Sequence, residues 1–166
     1  SGVSWSESGK NPYSNNAEAY YGSNLRALVT SQKAVSEPGE FFNYKSGDTQ
    51  LLTYIIEKST GLSLGEYFYE KIWSKINTER KGYWNLDKEN GDAKGFCCLY
   101  AVPRDYAKLA QLILNNGQWN GKQIVSKDYL QKCLFPEKEI TEKDGEENKR
   151  YCWQWWYAKI DGKEVH

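Results

Sequence analysis

Tyr44-Lys45-Ser46 is the stretch of this sequence whose residue types and spacing could move protons. It stands between a Pro38-Gly39 turn with its aromatic follow-on, Phe41-Phe42, and a helical pattern capped by Asp48 and closed by Gly61. Loop–helix junctions of this kind present side chains to clefts. A free phenol has a pKa of about 10 and is a poor base at neutral pH. A cationic neighbour favours the phenolate and lowers that value. A serine hydroxyl, for its part, is a weak nucleophile until a base takes its proton. Tyr44 can therefore act as a base if a cation and a nucleophile are brought to it. The competing reading is structural: with 13 tyrosines in the chain, Tyr44 could be a core aromatic with a bonded hydroxyl.

The rest of the composition narrows the field. The 166 residues suffice for one domain or a large piece of one. Basic and acidic residues balance at 22 each, so nothing points to nucleic acid. No run reaches the length of a membrane span. Cys97, Cys98, Cys133 and Cys152 do not follow a zinc pattern, and no metal or other cofactor is expected. Adjacent Cys97 and Cys98 are not expected to bridge, so all four cysteines read as buried thiols. The chain has no methionine and opens on Ser1, which is what an excerpt of a longer protein would show.

Several elements are readable from local signals. Residues 1–16 read as loop, and residues 17–33 carry a weak helical period. Leu51, Leu52, Ile55 and Ile56 recur at helical spacing and predict one apolar face for the helix after Tyr44. Ser63 with Glu66 predicts a capping box, ahead of a buried face made of Leu64, Tyr67, Phe68, Ile72 and Trp73. Pro103 predicts a helix start, with Tyr106, Leu109, Ala110, Leu112 and Ile113 facing inward. Asn120-Gly121 predicts a tight turn. Ser126 predicts the cap of a shorter helix carrying Tyr129, Leu130 and Cys133, ended by Pro136. Residues 137–150 read as a solvated charged loop. Strand character is expected only at the C-terminal end, where 151–157 and a turn over 160–163 begin a hairpin. In such a strand Trp153 and Trp155 would share a face, either as core or as a stacking platform for a carbohydrate or peptide ligand.

Three blocks together resemble the serine β-lactamase-related family, which includes class C β-lactamases, DD-peptidases, esterases and 6-aminohexanoate-dimer hydrolases. The first is Pro38-Gly39 through Tyr44-Lys45-Ser46 into Leu51-Leu52, Ile55-Ile56-Glu57 and Thr60-Gly61. The second is Gly95 to Ala110, with Pro103-Arg104-Asp105. The third is Gly117 to Ser126. The resemblance covers essentially the whole chain. It implies an α+β fold: residues 1–150 as a mostly helical subdomain of a β-lactamase/transpeptidase-like domain, and 151–166 as the beginning of its antiparallel sheet.

The resemblance also implies a site built from three elements: a Ser-x-x-Lys nucleophile, a Tyr-x-Asn or Tyr-x-Ser loop, and a Lys/His-x-Gly strand. The chain carries the second alone, with Tyr44 as candidate general base and Ser46 as candidate substrate- or lysine-binding residue. Lys45 between them is given no role. No serine here has a lysine three residues on, so the nucleophile is expected before residue 1 and the third motif after His166. His166, the single histidine, reads as a strand residue. The substrate implied is a small ester, amide or β-lactam, the implied partner is the remainder of the domain, and the location implied is extracytoplasmic. The Tyr-x-Ser form leans toward the esterase and amide-hydrolase branch. Val102, where many relatives have Thr or Ser, predicts a helix without a hydroxyl cap. A family member lacking its nucleophile, or a non-catalytic aromatic binding module, are the alternatives.

Overall fold

The computed structural model describes residues 1–135, 141–146, 148, 151–160 and 163–165. Pro136, His166 and the Asp161-Gly162 turn lie outside the described residues. The weak helical period over 17–33 resolves into two short helices, α1 (Asn15–Tyr21) and α2 (Leu25–Thr30). Each starts on its own cap: Ser14 Oγ accepts from Ala17 N–H, and Asn24 accepts from Ala27 N–H. The longest helix, α3 (Ser46–Thr60), ends on Gly61 at a φ of 72°, a left-handed value that glycine takes at little cost. Next comes α4 (Leu64–Lys71), which has the full capping box of Ser63 and Glu66, then a short 3₁₀ turn at Trp73–Lys75.

Strands appear earlier than the C-terminal end, contrary to the sequence expectation. β1 (Tyr83–Trp84) pairs antiparallel with β2 (Leu99–Tyr100). They escape a periodicity search because each is two residues long. After α5 (Pro103–Leu114), β3 (Gln118–Trp119) and β4 (Lys122–Gln123) form a tight hairpin about Asn120-Gly121, both at positive φ. Then follow α6 (Lys127–Leu134) with Ser126 as its cap, the hairpin of β5 (Tyr151–Cys152) and β6 (Trp155–Trp156), and that of β7 (Ala158–Ile160) and β8 (Lys163–Val165). The chain is thus α+β. Trp153 and Trp155 do not share a strand face: Trp153 occupies the β5–β6 turn with φ 47°, beside Gln154 at 72°.

The core sits among α1, α2 and α3. It comprises Ala19, Leu25, Leu28, Val29 and Tyr54, with Trp5, Leu51 and Phe96 packed against it. The inward face of α3 is not the one its leucines and isoleucines predict. Leu52 and Ile55 are 44% and 59% exposed, whereas Gln50, Thr53 and Tyr54 are buried. The cause is the loop that crosses this face. Gln50 Nε2 donates to Ala93 O at 2.9 Å, and Gln50 Oε1 accepts from Gly95 N–H at 2.9 Å. A Cβ on Gly95 would fall 1.9 Å from Thr53 Oγ1. Backbone groups buried at so close an approach must be hydrogen-bonded, and an amide side chain does this where a leucine cannot.

A similar displacement occurs in α5. Asp105 and Leu112 are buried, Leu109 and Ile113 half-buried, while Tyr106 and Ala110 face solvent. Val102 stands at the cap position with no side-chain hydrogen bond, as its residue type predicts. Asp105 turns inward and accepts from the N–H groups of Glu79 (2.8 Å) and Arg80 (3.0 Å) and from Lys108 Nζ (3.3 Å). Cys97 and Cys98 are joined in a disulfide, against the expectation of free thiols. The closure comes with a left-handed Cys98 at φ 67°. Cys133 is a buried thiol.

Burial alone would raise the Asp105 carboxyl, but its two backbone donors and Lys108 outweigh that and hold it below the ordinary carboxylate range. A lowered folded-state value contributes stability above the unfolded value of about 4 and loses it as pH falls through the folded one. Asp105→Asn is therefore expected to lower Tm by several degrees at pH 7 and to flatten the acid limb of a Tm–pH curve, measured by circular dichroism.

Candidate active site

The first turn of α3 has four N–H groups without helical partners. Lys45, at the cap position with extended backbone, provides no side-chain hydrogen bond. Asp48 is not the cap expected from sequence: the helix starts two residues before it, at Ser46, and Asp48 instead accepts from Ser1 Oγ at 2.6 Å. The Ser46 N–H is taken by a residue far away in sequence. Glu7 Oε2 accepts from it at 2.9 Å, and Glu7 Oε1 accepts from Ser46 Oγ at 2.5 Å. Trp5 Nε1 also donates to Glu7 Oε2, at 2.6 Å. The Trp5 ring lies on the helix start: a Cβ on Gly47 would come within 2.5–2.8 Å of three of its carbons. Glycine at this position is what lets an indole reach the backbone.

Tyr44 and Ser46 flank Lys45 at the start of α3, with Ser46 its first residue. The Tyr44 ring is half-buried, edge-on to Tyr151 with centroids 5.2 Å apart and tilted on Trp156 at 5.1 Å. The β5–β6 turn that supplies these rings is fastened to α3 by Gln154, whose Oε1 accepts from Thr49 Oγ1 (2.5 Å) and from the Tyr151 hydroxyl (2.9 Å). Burial pushes the Tyr44 phenol above its ordinary value. The Glu7 charge pushes it the same way, the Ser46 hydroxyl opposes them, and Tyr20 adds to the rise. In this setting Tyr44 is a neutral phenol at neutral pH. The adjacent cation does not alter this: Lys45 is buried but turned away, its Nζ donating to Val3 O at 2.6 Å.

Two cavities lie near or beyond this region, and neither is lined by Tyr44 or Ser46. One of about 290 Å³ opens on the Lys45 side, against Val3, Trp5 and Asn43. One of about 590 Å³ lies between α4 and β1, walled by Phe68, Trp73 and Trp84. Among the described residues no cluster of three or more His, Cys, Asp or Glu side chains could hold a metal, and no helix is long and apolar enough to cross a membrane.

The arrangement is thus a neutral phenol two residues from a serine whose hydroxyl and N–H are both held by a carboxylate at the head of a helix. The family model for beta-lactamase matches residues 1–165. The chain belongs to the beta-lactamase family. Among curated proteins it is 29% identical over 108 residues to the 6-aminohexanoate-dimer hydrolase of Paenarthrobacter ureafaciens, an alignment covering 64% of this chain and 27% of that protein. Among solved structures, a Bacillus anthracis protein provisionally named 6-aminohexanoate-dimer hydrolase is 31% identical, with a TM-score of 0.70 over 80% of this chain and 38% of the other. The octameric penicillin-binding protein homologue of Pyrococcus abyssi is 25% identical, with a TM-score of 0.56 over 79% of this chain and 33% of its own. The chain therefore spans well under half the length of these family members.

Glu7, Trp5 and Gly47 were not found by sequence reasoning, which gave residues 1–16 as loop. The available signal was Gly47 itself, a glycine inside the first turn of an otherwise well-formed helix, which marks a close approach. Gly47→Ala is expected to cost roughly 1–3 kcal/mol through the clash with Trp5. Gly65→Ala in α4, where a Cβ meets nothing within 4 Å, is expected to gain up to about 1 kcal/mol. Urea denaturation of the two variants separates these outcomes.

Proposed function

We propose that this chain is the central part of a serine hydrolase that works through an acyl-enzyme, with Tyr44 as the proton-transfer group. The observation that carries the reading is the Tyr44-Lys45-Ser46 triplet at the head of α3 in a chain matched to the beta-lactamase family from residue 1 to residue 165. The nucleophile is a Ser-x-x-Lys supplied by sequence outside these 166 residues, since no serine of this chain has a lysine three residues on. The relatives named as 6-aminohexanoate-dimer hydrolases favour an amide as the substrate bond, with esters and β-lactams as the related alternatives.

The chemistry follows from the phenol's state. A neutral Tyr44 becomes a useful base when a lysine cation from the missing motif lies against it and draws its pKa down. The nucleophilic serine then passes its proton to the Tyr44 oxygen as the serine oxygen bonds to the acyl carbon. The leaving amine or alcohol takes that proton as its bond to carbon breaks. Ser46 supports this by bonding the lysine or the substrate.

A fluorophosphonate probe tests the reading. Full-length protein is expected to label at a serine outside these 166 residues, and Tyr44→Phe to slow labelling by roughly 10²–10⁴-fold. The 166-residue chain alone is expected not to label. Labelling of this chain at one of its own serines would sink the assignment of the nucleophile, and an unchanged rate in Tyr44→Phe would sink the assignment of the base.

A further inference from the structure

We infer that the cavity of about 590 Å³ between α4 and β1 binds a flat aromatic group that carries a carboxylate. Its size is that of a small-molecule pocket, for which roughly 300–1,000 Å³ is usual. Two of its lining positions, Gly65 and Gly82, are glycines that the local backbone does not require, since neither has a positive φ. Gly65 lies in the first turn of α4, where glycine is less favourable than alanine. A Cβ there would meet nothing within 4 Å. A Cβ on Gly82 would stand 3.4 Å from Leu99 Cδ1 and 3.5 Å from Trp73 Cζ2, ordinary contact distances to two other lining residues. Unlike Gly47 and Gly95, these glycines make way for no other part of the chain. What their missing side chains leave is the space itself.

The walls determine what fits. Trp73 is buried and Trp84 half-buried, and the Phe68 ring packs against them at centroid distances of 5.5 and 5.4 Å. Both indole N–H groups are already committed to backbone carbonyls: Trp73 Nε1 donates to Arg80 O at 3.0 Å, and Trp84 Nε1 to Cys97 O at 2.8 Å. The indoles therefore offer ring carbon, and such surface is best matched by another ring, offset or edge-on. The charges give that ring its substituent. Arg80 and Lys81 line the cavity and are exposed, and among the described residues no acid forms an ion pair with either. Glu79, the acid among the described lining residues, is already answered by Lys108 Nζ at 3.4 Å and Arg104 Nε at 3.9 Å. The backbone that carries the Arg80 guanidinium is pinned on both sides, with its N–H donated to Asp105 at 3.0 Å and its carbonyl held by Trp73. Aromatic carbon bordered by two unpaired cations is complementary to an aryl carboxylate: the rings take its flat face and the cations its charge.

Titration calorimetry of full-length protein with 2-naphthoate tests the site. It reads binding and not turnover, so it stands apart from the hydrolase proposal. Naphthoate is expected to bind saturably at one site per chain, with a Kd on the order of 0.1–1 mM. The neutral 2-naphthalenemethanol is expected to bind more weakly, and the cationic 2-naphthylmethylamine more weakly still. Arg80→Gln combined with Lys81→Gln is expected to weaken naphthoate roughly three- to fivefold and to leave the alcohol unchanged. Gly82→Leu, whose added atoms start between Leu99 and Trp73, is expected to abolish saturable binding. Gly65→Leu takes its place if Gly82→Leu does not fold, and its Tm is expected to be no lower than that of wild type. Wild-type protein without saturable binding would overturn the inference. So would equal affinity for acid, alcohol and amine, or undiminished naphthoate binding in the folded glycine variant.

Discussion

A helix that begins without a cap of its own must borrow one, and in this protein the loan comes from Glu7. α3 is the longest helix and supplies part of the core through Tyr54 and Leu51. Its first N–H group is satisfied by a carboxylate 39 residues away in sequence. A negative charge at this end also faces the positive end of the helix dipole. The same contact therefore secures the helix, seats Trp5 on Gly47, and holds the backbone that displays Tyr44. Site and scaffold share one interaction, so the geometry around the phenol cannot relax without disturbing the start of the helix.

Elsewhere the fold relies on a related device. Buried polar side chains take up backbone groups of crossing loops. Gln50 receives and donates across the 93–95 loop, Asp105 takes two N–H groups from 79–80, and Lys94 Nζ reaches Tyr20 O at 2.5 Å. Asp92 adds a surface version, receiving Arg26 Nε at 3.1 Å and Nη2 at 2.5 Å. Such groups are costly to leave unpaired once water is excluded. They give the loops definite positions in a chain whose strands are only two or three residues long.

This division explains what the sequence could reveal. The Ser63–Glu66 box, the Ser126 cap, the Pro103 start and the Asn120-Gly121 turn were legible because each acts within about four residues of itself. Tyr44 and Ser46 were legible through their place at a loop–helix junction and through family resemblance. The outward Leu52 and Ile55 were not, because helical spacing identifies a stripe of apolar residues without saying which side a crossing loop will claim. Glu7 was not legible either. An acid in a polar stretch reads as solvated until the helix it caps is placed beside it. The Cys97–Cys98 bridge escaped a rule of spacing because it depends on Cys98 entering the left-handed region.

Two tight turns of the chain share one backbone sign pattern and reach it by opposite means. Asn120 and Gly121 take positive φ through their own conformational preferences, so their hairpin carries its instructions in the turn. Trp153 and Gln154 take it against theirs. What holds them is the Gln154 amide oxygen, gripped by a threonine of α3 and by Tyr151. The β5–β6 hairpin is thus a shape remembered by the helix and not by the turn. The rings it lends to Tyr44 are thus positioned from α3, which makes the aromatic wall of the candidate site conditional on that helix.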